Sequence, residues 1–279
     1  MTDSGEVSQH YAHGDLFERL QAALIEDGAD PAHPTVETLA PFDQFHGRGL
    51  EATRELAAAV QVSAAHHLLD IGSGIGGPAR FMAQRFGCQV TGIDLTEAFC
   101  DVARRVTQLV GLEDRVAFQQ GDALDMPFAD AAYDGAYSMN VSMNIADKRQ
   151  FYGEIHRVLR PGAWLVLSEL ALGPEGEPDY PTPWARTGET SFLATQSETM
   201  EGLEACGFTI VYSRDAAQET LAFSARSREM VERGEKPPHR AVQLIHGDCA
   251  PLAMANTKNG IEQGRLIPIE VLCTKSETA

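Results

Sequence analysis

The chain has 279 residues, with 40 Asp+Glu against 22 Lys+Arg and a formal net charge of −18. That length suffices for one doubly wound unit with a well-buried core, and so acidic a surface excludes a broad phosphate-binding face, so nucleic acid is not an expected partner. Cys88, Cys100, Cys206, Cys249 and Cys273 form no C-x-x-C pair and read as reduced thiols of a cytoplasmic protein, not as a zinc site; residues 1–15 carry no signal-peptide pattern, and no apolar run reaches the roughly 20 residues of a membrane span.

Asp15-Leu16-Phe17-Glu18 opens an amphipathic helix with capping-box spacing, and Gly28 ends it. Residues 30–38 form a loop with Pro31 and Pro34. Residues 39–49 follow as a short connection holding Phe42, Gln44, Phe45 and His46. Two readings are open there: packed aromatics in a solvated loop, or a roof over a ligand. A helix is predicted over residues 50–60.

The stretch His66-His67-Leu68-Leu69-Asp70-Ile71-Gly72-Ser73-Gly74-Ile75-Gly76-Gly77-Pro78 organises the rest. It reads as a buried strand, a glycine turn and a helix start, with Pro78 in the first helical turn. Gly72, Gly74 and Gly77 fit G-x-G-x-x-G; Gly72, Gly74 and Gly76 fit G-x-G-x-G. Asp70, two residues before the first glycine, separates the possible ligands. A carboxylate at the strand end repels a pyrophosphate and accepts a cation, which favours S-adenosylmethionine, with its ammonium and sulfonium, over NAD.

Strand two is predicted over residues 89–94. Its last residue, Asp94, lies 22 residues after Gly72, the position of an acid that accepts from a ribose diol; a helix N-cap is the plainer alternative. A helix over residues 96–110 leads to strand three over residues 116–119, then Asp122, placed to accept from an exocyclic adenine amine. Strand four covers residues 133–139. Asp147 caps a helix to Arg160, Pro161-Gly162 break it, and strand five covers residues 163–170. Strand and helix thus alternate with short connections, the pattern of an open parallel sheet with helices on both faces. Asp70, Gly72, Asp94, Asp122, Asn140 and Glu169 all fall at carboxyl ends of strands, where such sheets bind ligands.

Residues 173–191 hold Pro174, Pro178, Pro181 and Pro183 with Tyr180, Trp184 and Arg186, and read as a surface excursion or a lid over the acceptor. A helix over residues 195–204, a strand over 208–212, a helix over 221–233, an irregular or helical stretch over 236–265 and a last strand over 266–273 complete the chain. Pro268 suggests that this last strand is an edge, or that the proline stands at its start.

The combination resembles the class I S-adenosylmethionine-dependent methyltransferases, on residues 68–77, 92–95, 121–128 and 158–162. Within that class it is similar to the sarcosine/dimethylglycine N-methyltransferase-like branch, on Asp43-Gln44-Phe45-His46, Val141-Ser142-Met143-Asn144-Ile145 and Tyr180-Pro181-Thr182-Pro183-Trp184-Ala185. The turn reads Gly-Ser-Gly where many relatives have Gly-Cys-Gly. The resemblance implies an α/β, doubly wound, mostly parallel seven-stranded Rossmann-like sheet with an antiparallel last strand. It implies a single unit over residues 1–279: a helical cap (1–49), a cofactor-binding half (50–170), a lid loop (171–194) and a C-terminal half (195–279).

Under this resemblance Asp70, Gly72, Gly74 and Gly76 face the methionine part of S-adenosylmethionine, Asp94 and Leu95 the ribose, Asp122 and Ala123 the adenine, and Asn140 borders the sulfonium. Methyl transfer is an in-line displacement from a good leaving group, so alignment dominates. His46 and Asn144 are the expected catalytic residues, with His46 able to take an ammonium proton. Tyr11, Gln44, Tyr180 and Trp184 are the expected acceptor-binding residues, with His10, Glu169 and His246 as further candidates. The products are S-adenosylhomocysteine and a methylated small molecule, most readily an amine of the sarcosine or dimethylglycine type; transfer to carbon or oxygen of a natural-product or quinone-like acceptor is the alternative. No metal is expected, no membrane or nucleic-acid partner is implied, and a monomer and a homodimer are equally compatible.

Overall fold

A computed structural model describes residues 16–277. The elements are α1 (Leu16–Glu26), α2 (Val36–Asp43), α3 (Leu50–Ala59), β1 (His67–Ile71), α4 (Gly77–Phe86), β2 (Gln89–Asp94), α5 (Glu97–Leu109), β3 (Val116–Gln120), β4 (Tyr133–Met139), α6 (Lys148–Val158), β5 (Leu159–Leu172), α7 (Gln196–Ala205), β6 (Phe208–Asp215), α8 (Ala217–Glu232), α9 (Ala241–His246), α10 (Ala250–Glu262) and β7 (Leu266–Lys275). Seven strands form one sheet in the order β3-β2-β1-β4-β5-β7-β6. The pairs from β3 across to β5 are parallel, and β7 runs antiparallel to both β5 and β6. This is the expected mostly parallel sheet with an antiparallel last strand. Among the described residues no helix is long and apolar enough to cross a membrane.

The central strands are apolar on both sides because both faces are covered. Leu69 and Ile71 pack with Phe151, Tyr152 and Ile155 of α6 on one face. Leu68 and Val90 pack with Leu56, Met82 and Ala103 of α3, α4 and α5 on the other. The period of two along each strand sends neighbouring side chains to opposite layers. In α5, the buried Phe99, Val102, Ala103 and Val106 recur at helical spacing; Ala103 packs on the sheet, while Phe99, Val102 and Val106 pack with Leu16, Leu20 and Leu24 of α1 and Leu39 and Phe42 of α2.

Three local expectations are corrected, and one alternative left open, over residues 236–265, is resolved. Residues 39–43 are helical, the end of α2: Thr35 and Thr38 close a reciprocal capping box at its start. β5 begins at Leu159, not Ala163; a register shift opposite residues 133–135 of β4 absorbs Pro161 and Gly162 within the strand. Residues 236–265 contain two helices, α9 and α10. The last strand, β7, is interior. Its Pro268 is tolerated because β6 ends at Asp215, opposite Ile269, so the proline's nitrogen faces the side that β6 has left; Ala216 N donates to Pro268 O there.

Candidate active site

The glycine turn leaves β1 and starts α4. The amides of Gly72 and Ser73 both donate to Ile93 O, at 2.8 and 3.0 Å, which folds the turn onto the end of β2. Gly72 has φ +70°, and a Cβ there would stand 2.3 Å from Val141 Cγ2. Gly76 has φ +85°, and a Cβ would stand 2.3 Å from the Phe118 ring. Behind the turn, fully buried Arg80 of α4 donates to Asp43 Oδ2 (2.9 Å) and to Ile75 O (2.8 Å), locking the end of α2 onto the turn.

A cavity of about 150 Å³ opens at this turn. Asp70, Gly72, Gly74, Asp94, Leu95, Asp122, Ala123, Asn140, His46 and Asn144 all line it. The structure thus brings together the expected residues from the ends of β1, β2, β3 and β4. Gly76 does not reach the lining; its place is to carry the left-handed turn and to let the Phe118 ring pass.

Each acid is held differently. Asp70 is 2% exposed, and its Oδ2 has no hydrogen-bond partner, the Tyr137 hydroxyl lying beside it without closing a well-formed bond. Burial pushes its carboxyl up to about 8, Tyr137 pulls it down, and the nearby Asp94 charge raises it again. Asp94 accepts from Gly74 N and Thr96 N, both at 2.8 Å, so it combines the cavity position with local loop bonding. Burial raises its pKa, opposed by those amides. Asp122 Oδ1 accepts from Leu124 N at 2.9 Å.

A second cavity, of about 160 Å³, adjoins the first. The two share Phe45, His46 and Asn140 as a common wall. Asn140 adopts φ +58°, a conformation asparagine tolerates, as the chain turns away from β4. The second cavity is largely apolar, with Met143, Leu170, Trp184, Phe223, Val242 and Ile261 among its walls. Its polar groups include Arg48, Glu169, His239 and Glu270. Arg48 donates to both carboxylate oxygens of Glu55, at 2.8 and 2.9 Å, and to Glu270 at 2.6 Å. Glu169 accepts from Val141 N (2.9 Å), Ser142 N (3.1 Å) and the Ser138 hydroxyl (3.1 Å). Burial pushes Glu169 up to about 7 against those donors and the Lys148 charge.

Several expected acceptor residues lie elsewhere. Gln44 is fully buried and lines neither cavity; its Oε1 accepts from the Thr53 hydroxyl at 2.6 Å and its Nε2 donates to Asp43. Tyr180 packs beside Trp184 and donates to Glu177 Oε2 at 2.9 Å, outside the lining. His246 stacks near Phe45 and lines neither cavity. Tyr11 and His10 lie outside the described residues. His46 does line both cavities, but burial pushes it down to about 3, and its ring nitrogens face Gly47 O (3.2 Å) and the Thr53 hydroxyl (3.1 Å). Burial favours the neutral ring and weakens it as a proton acceptor, which counts against His46 as base.

The helices that close the second cavity were given no part in the site by the sequence. Thr220, Phe223, Val242, Met254, Thr257 and Ile261 come from α8, α9 and α10, all inserted between β6 and β7. Their spacing is that of ordinary amphipathic helices and carries no site signal.

A methyltransferase-domain family model matches residues 69–167 of the chain. An O-methyltransferase of Pyrenophora dematioidea is 30% identical over 221 residues, covering 78% of this chain and 79% of that protein. Methyltransferase GfsG of Streptomyces halstedii is 32% identical over 170 residues, covering 61% of this chain and 59% of that one. The fold superposes on the [4+2]-cyclase SpnF with a TM-score of 0.71 at 23% identity, over 98% of this chain and 97% of the other. The chain belongs to the S-adenosylmethionine-dependent methyltransferase-domain family.

The residues present fit that cofactor. Asp70 offers a buried carboxylate oxygen without a hydrogen-bond partner to a cation, and the turn at Gly72 and Gly74 keeps side chains out of the cavity that Asp94 and Asp122 border.

Proposed function

We propose that the chain transfers a methyl group to an oxygen or carbon of a largely apolar small molecule. The observation that carries this reading is the apolar second cavity, which meets the glycine-turn cavity at the shared residues Phe45, His46 and Asn140. The first cavity is the donor side and the second the acceptor side. S-adenosylmethionine supplies an electrophilic methyl on a sulfonium, with a neutral leaving group. Asp70 and the turn hold its amino-acid end, Asp94 and Leu95 the ribose, Asp122 and Ala123 the adenine. The chain's own contribution is alignment across the shared wall at near-attack distance.

Glu169 is the proton acceptor in this reading. It lines the acceptor cavity, and its Oε1, which accepts from the Ser138 hydroxyl, is the atom that would take a proton from a hydroxyl or enol as the new bond forms, while Oε2 stays on the Val141 and Ser142 amides. A zwitterionic amine of the sarcosine type is disfavoured. Its carboxylate would have to compete for cations that already carry carboxylate partners, Arg48 with Glu55 and Glu270, and Lys258 with Glu262 at 2.7 Å. The relatives named O-methyltransferases agree in direction. The test is S-adenosylhomocysteine release over a panel of sarcosine, dimethylglycine, apolar phenols and enolisable ketones. Turnover of the apolar members with gain of one methyl is the expected result. Release with the small zwitterionic amines alone would return the acceptor to nitrogen.

The donor side carries its own pH prediction. A cationic ligand favours the ionised Asp70, whose carboxyl otherwise holds its proton up to about pH 8. Affinity for S-adenosylhomocysteine should therefore rise from pH 6 to pH 8, by at most about tenfold per unit. Calorimetric titration of the wild type and Asp70→Asn checks this. A wild-type profile as flat as that of the variant contradicts the pairing.

A further inference from the structure

The short segment after β4, residues 141–145, divides the two cavities. Val141, Asn144 and Ile145 face the donor side, and Met143 faces the acceptor side. This segment is gripped at both ends by opposite charges. At its start Glu169 accepts from Val141 N and Ser142 N. At its end Lys148 Nζ donates to Ser142 O (2.6 Å) and Ile145 O (2.5 Å).

The third Lys148 proton goes to Phe192 O at 2.6 Å, 44 residues further along the chain. Phe192 N returns to Met143 O at 2.7 Å, so Phe192 is bonded on both sides to the dividing segment. Next to it, the Ser191 hydroxyl accepts from the Trp184 indole at 2.9 Å. Trp184 is buried against Met143 and forms a wall of the acceptor cavity. A continuous chain of bonds therefore runs from Lys148 through Phe192 and Ser191 to that wall.

An ammonium enclosed by three backbone carbonyls has lost water without gaining a carboxylate in contact, an arrangement with a desolvation cost. That cost lowers the Lys148 pKa to about 8, with the Glu169 charge opposing it. Only a cation with three divergent donors joins these three carbonyls at one point.

We propose that Lys148 is a positioning residue that sets the register of the Trp184 wall against the dividing segment, and so the placement of the acceptor against the donor. This rests on the methyl-transfer reading above. Lys148 touches neither cavity, and its effect passes through Phe192 and Ser191.

The test uses the full chain. In Lys148→Met, hydrogen exchange should accelerate together in residues 141–146 and 188–195, with no change in residues 72–77. With the most active member of the acceptor panel, kcat/KM should fall at least tenfold and distinctly more than S-adenosylhomocysteine affinity, to which Val141, Asn144 and Ile145 of the same segment contribute a wall. A general loss of structure would instead lower affinity and melting temperature in parallel with turnover. Lys148→Arg, which keeps a multivalent cation, should recover part of the loss. Should Lys148→Met fail to fold, Ser191→Ala cuts the same chain nearer the wall and should raise the acceptor KM at least threefold with affinity for S-adenosylhomocysteine unchanged. Normal exchange at residues 188–195 in Lys148→Met, or an unaltered KM in Ser191→Ala, overturns the proposal. Exchange needs no acceptor, so silence of the whole panel with coupled exchange intact counts against the acceptor reading and not against this one.

Discussion

The Gly72→Ala variant is expected to bind S-adenosylhomocysteine at least about 30-fold more weakly than the wild type, a loss of roughly 2 kcal/mol. Two costs combine at this position. An alanine at φ +70° carries the left-handed penalty of about 1–2 kcal/mol. Its Cβ also stands 2.3 Å from Val141 Cγ2, a contact that only backbone movement relieves, at roughly 1–3 kcal/mol. Relief comes by shifting either the turn or residue 141, and both are walls of the donor cavity. The loss therefore reaches binding as well as stability. Gly74→Ala is the comparison: it bears the φ penalty at +53° but meets nothing within 4 Å, so its loss should be distinctly smaller. Equal affinities for wild type and Gly72→Ala, measured by calorimetry, would remove the close approach of residues 72 and 141 from the account.

The second large effect concerns stability. Arg80 and Asp43 form an ion pair with both side chains fully shielded from solvent. The guanidinium also serves Ile75 O and, at 3.1 Å, the Thr107 hydroxyl. Burial raises the Asp43 pKa, and the Arg80 charge is the main opposing force. Arg80→Met leaves that carboxyl buried with its cation removed, which costs about 3–5 kcal/mol. For a chain of this size the melting temperature should drop by roughly 6–15 °C. Combining Arg80→Met with Asp43→Asn should cost less than the two single changes added together, because the second removes the charge that the first strands. Additive losses would mean that the pair is not coupled.

The parallel half of the sheet was legible because its strands are short apolar runs bounded by glycines and acids. The observed β2 and β4 have the predicted limits, and the acids at or just past the carboxyl ends of β1, β2 and β3 converge because parallel strands all end on one edge. The acceptor side was legible only in part. Gln44 and Trp184 come from equally suggestive stretches, yet Gln44 turns inward to Thr53 while Trp184 reaches the cavity. That difference is set by how α2 and α3 meet, a long-range fact absent from local pattern. The helices α8 to α10 are the clearest case. Phe223, Val242 and Ile261 have the composition of any core, and only the return of the chain between β6 and β7 makes them a cavity wall. The low proton affinity of His46 is likewise a product of burial, which no spacing reveals.

The most direct test of the account is the crystal structure of the chain with S-adenosylhomocysteine. The adenine is expected beside Asp122 and Ala123, the ribose diol on Asp94, the amino group at Asp70, and the sulfur toward Asn140 and the shared wall. A ligand lodged in the apolar cavity, or one whose sulfur points away from Asn140, would contradict the assignment of donor and acceptor sides on which the proposed reaction stands.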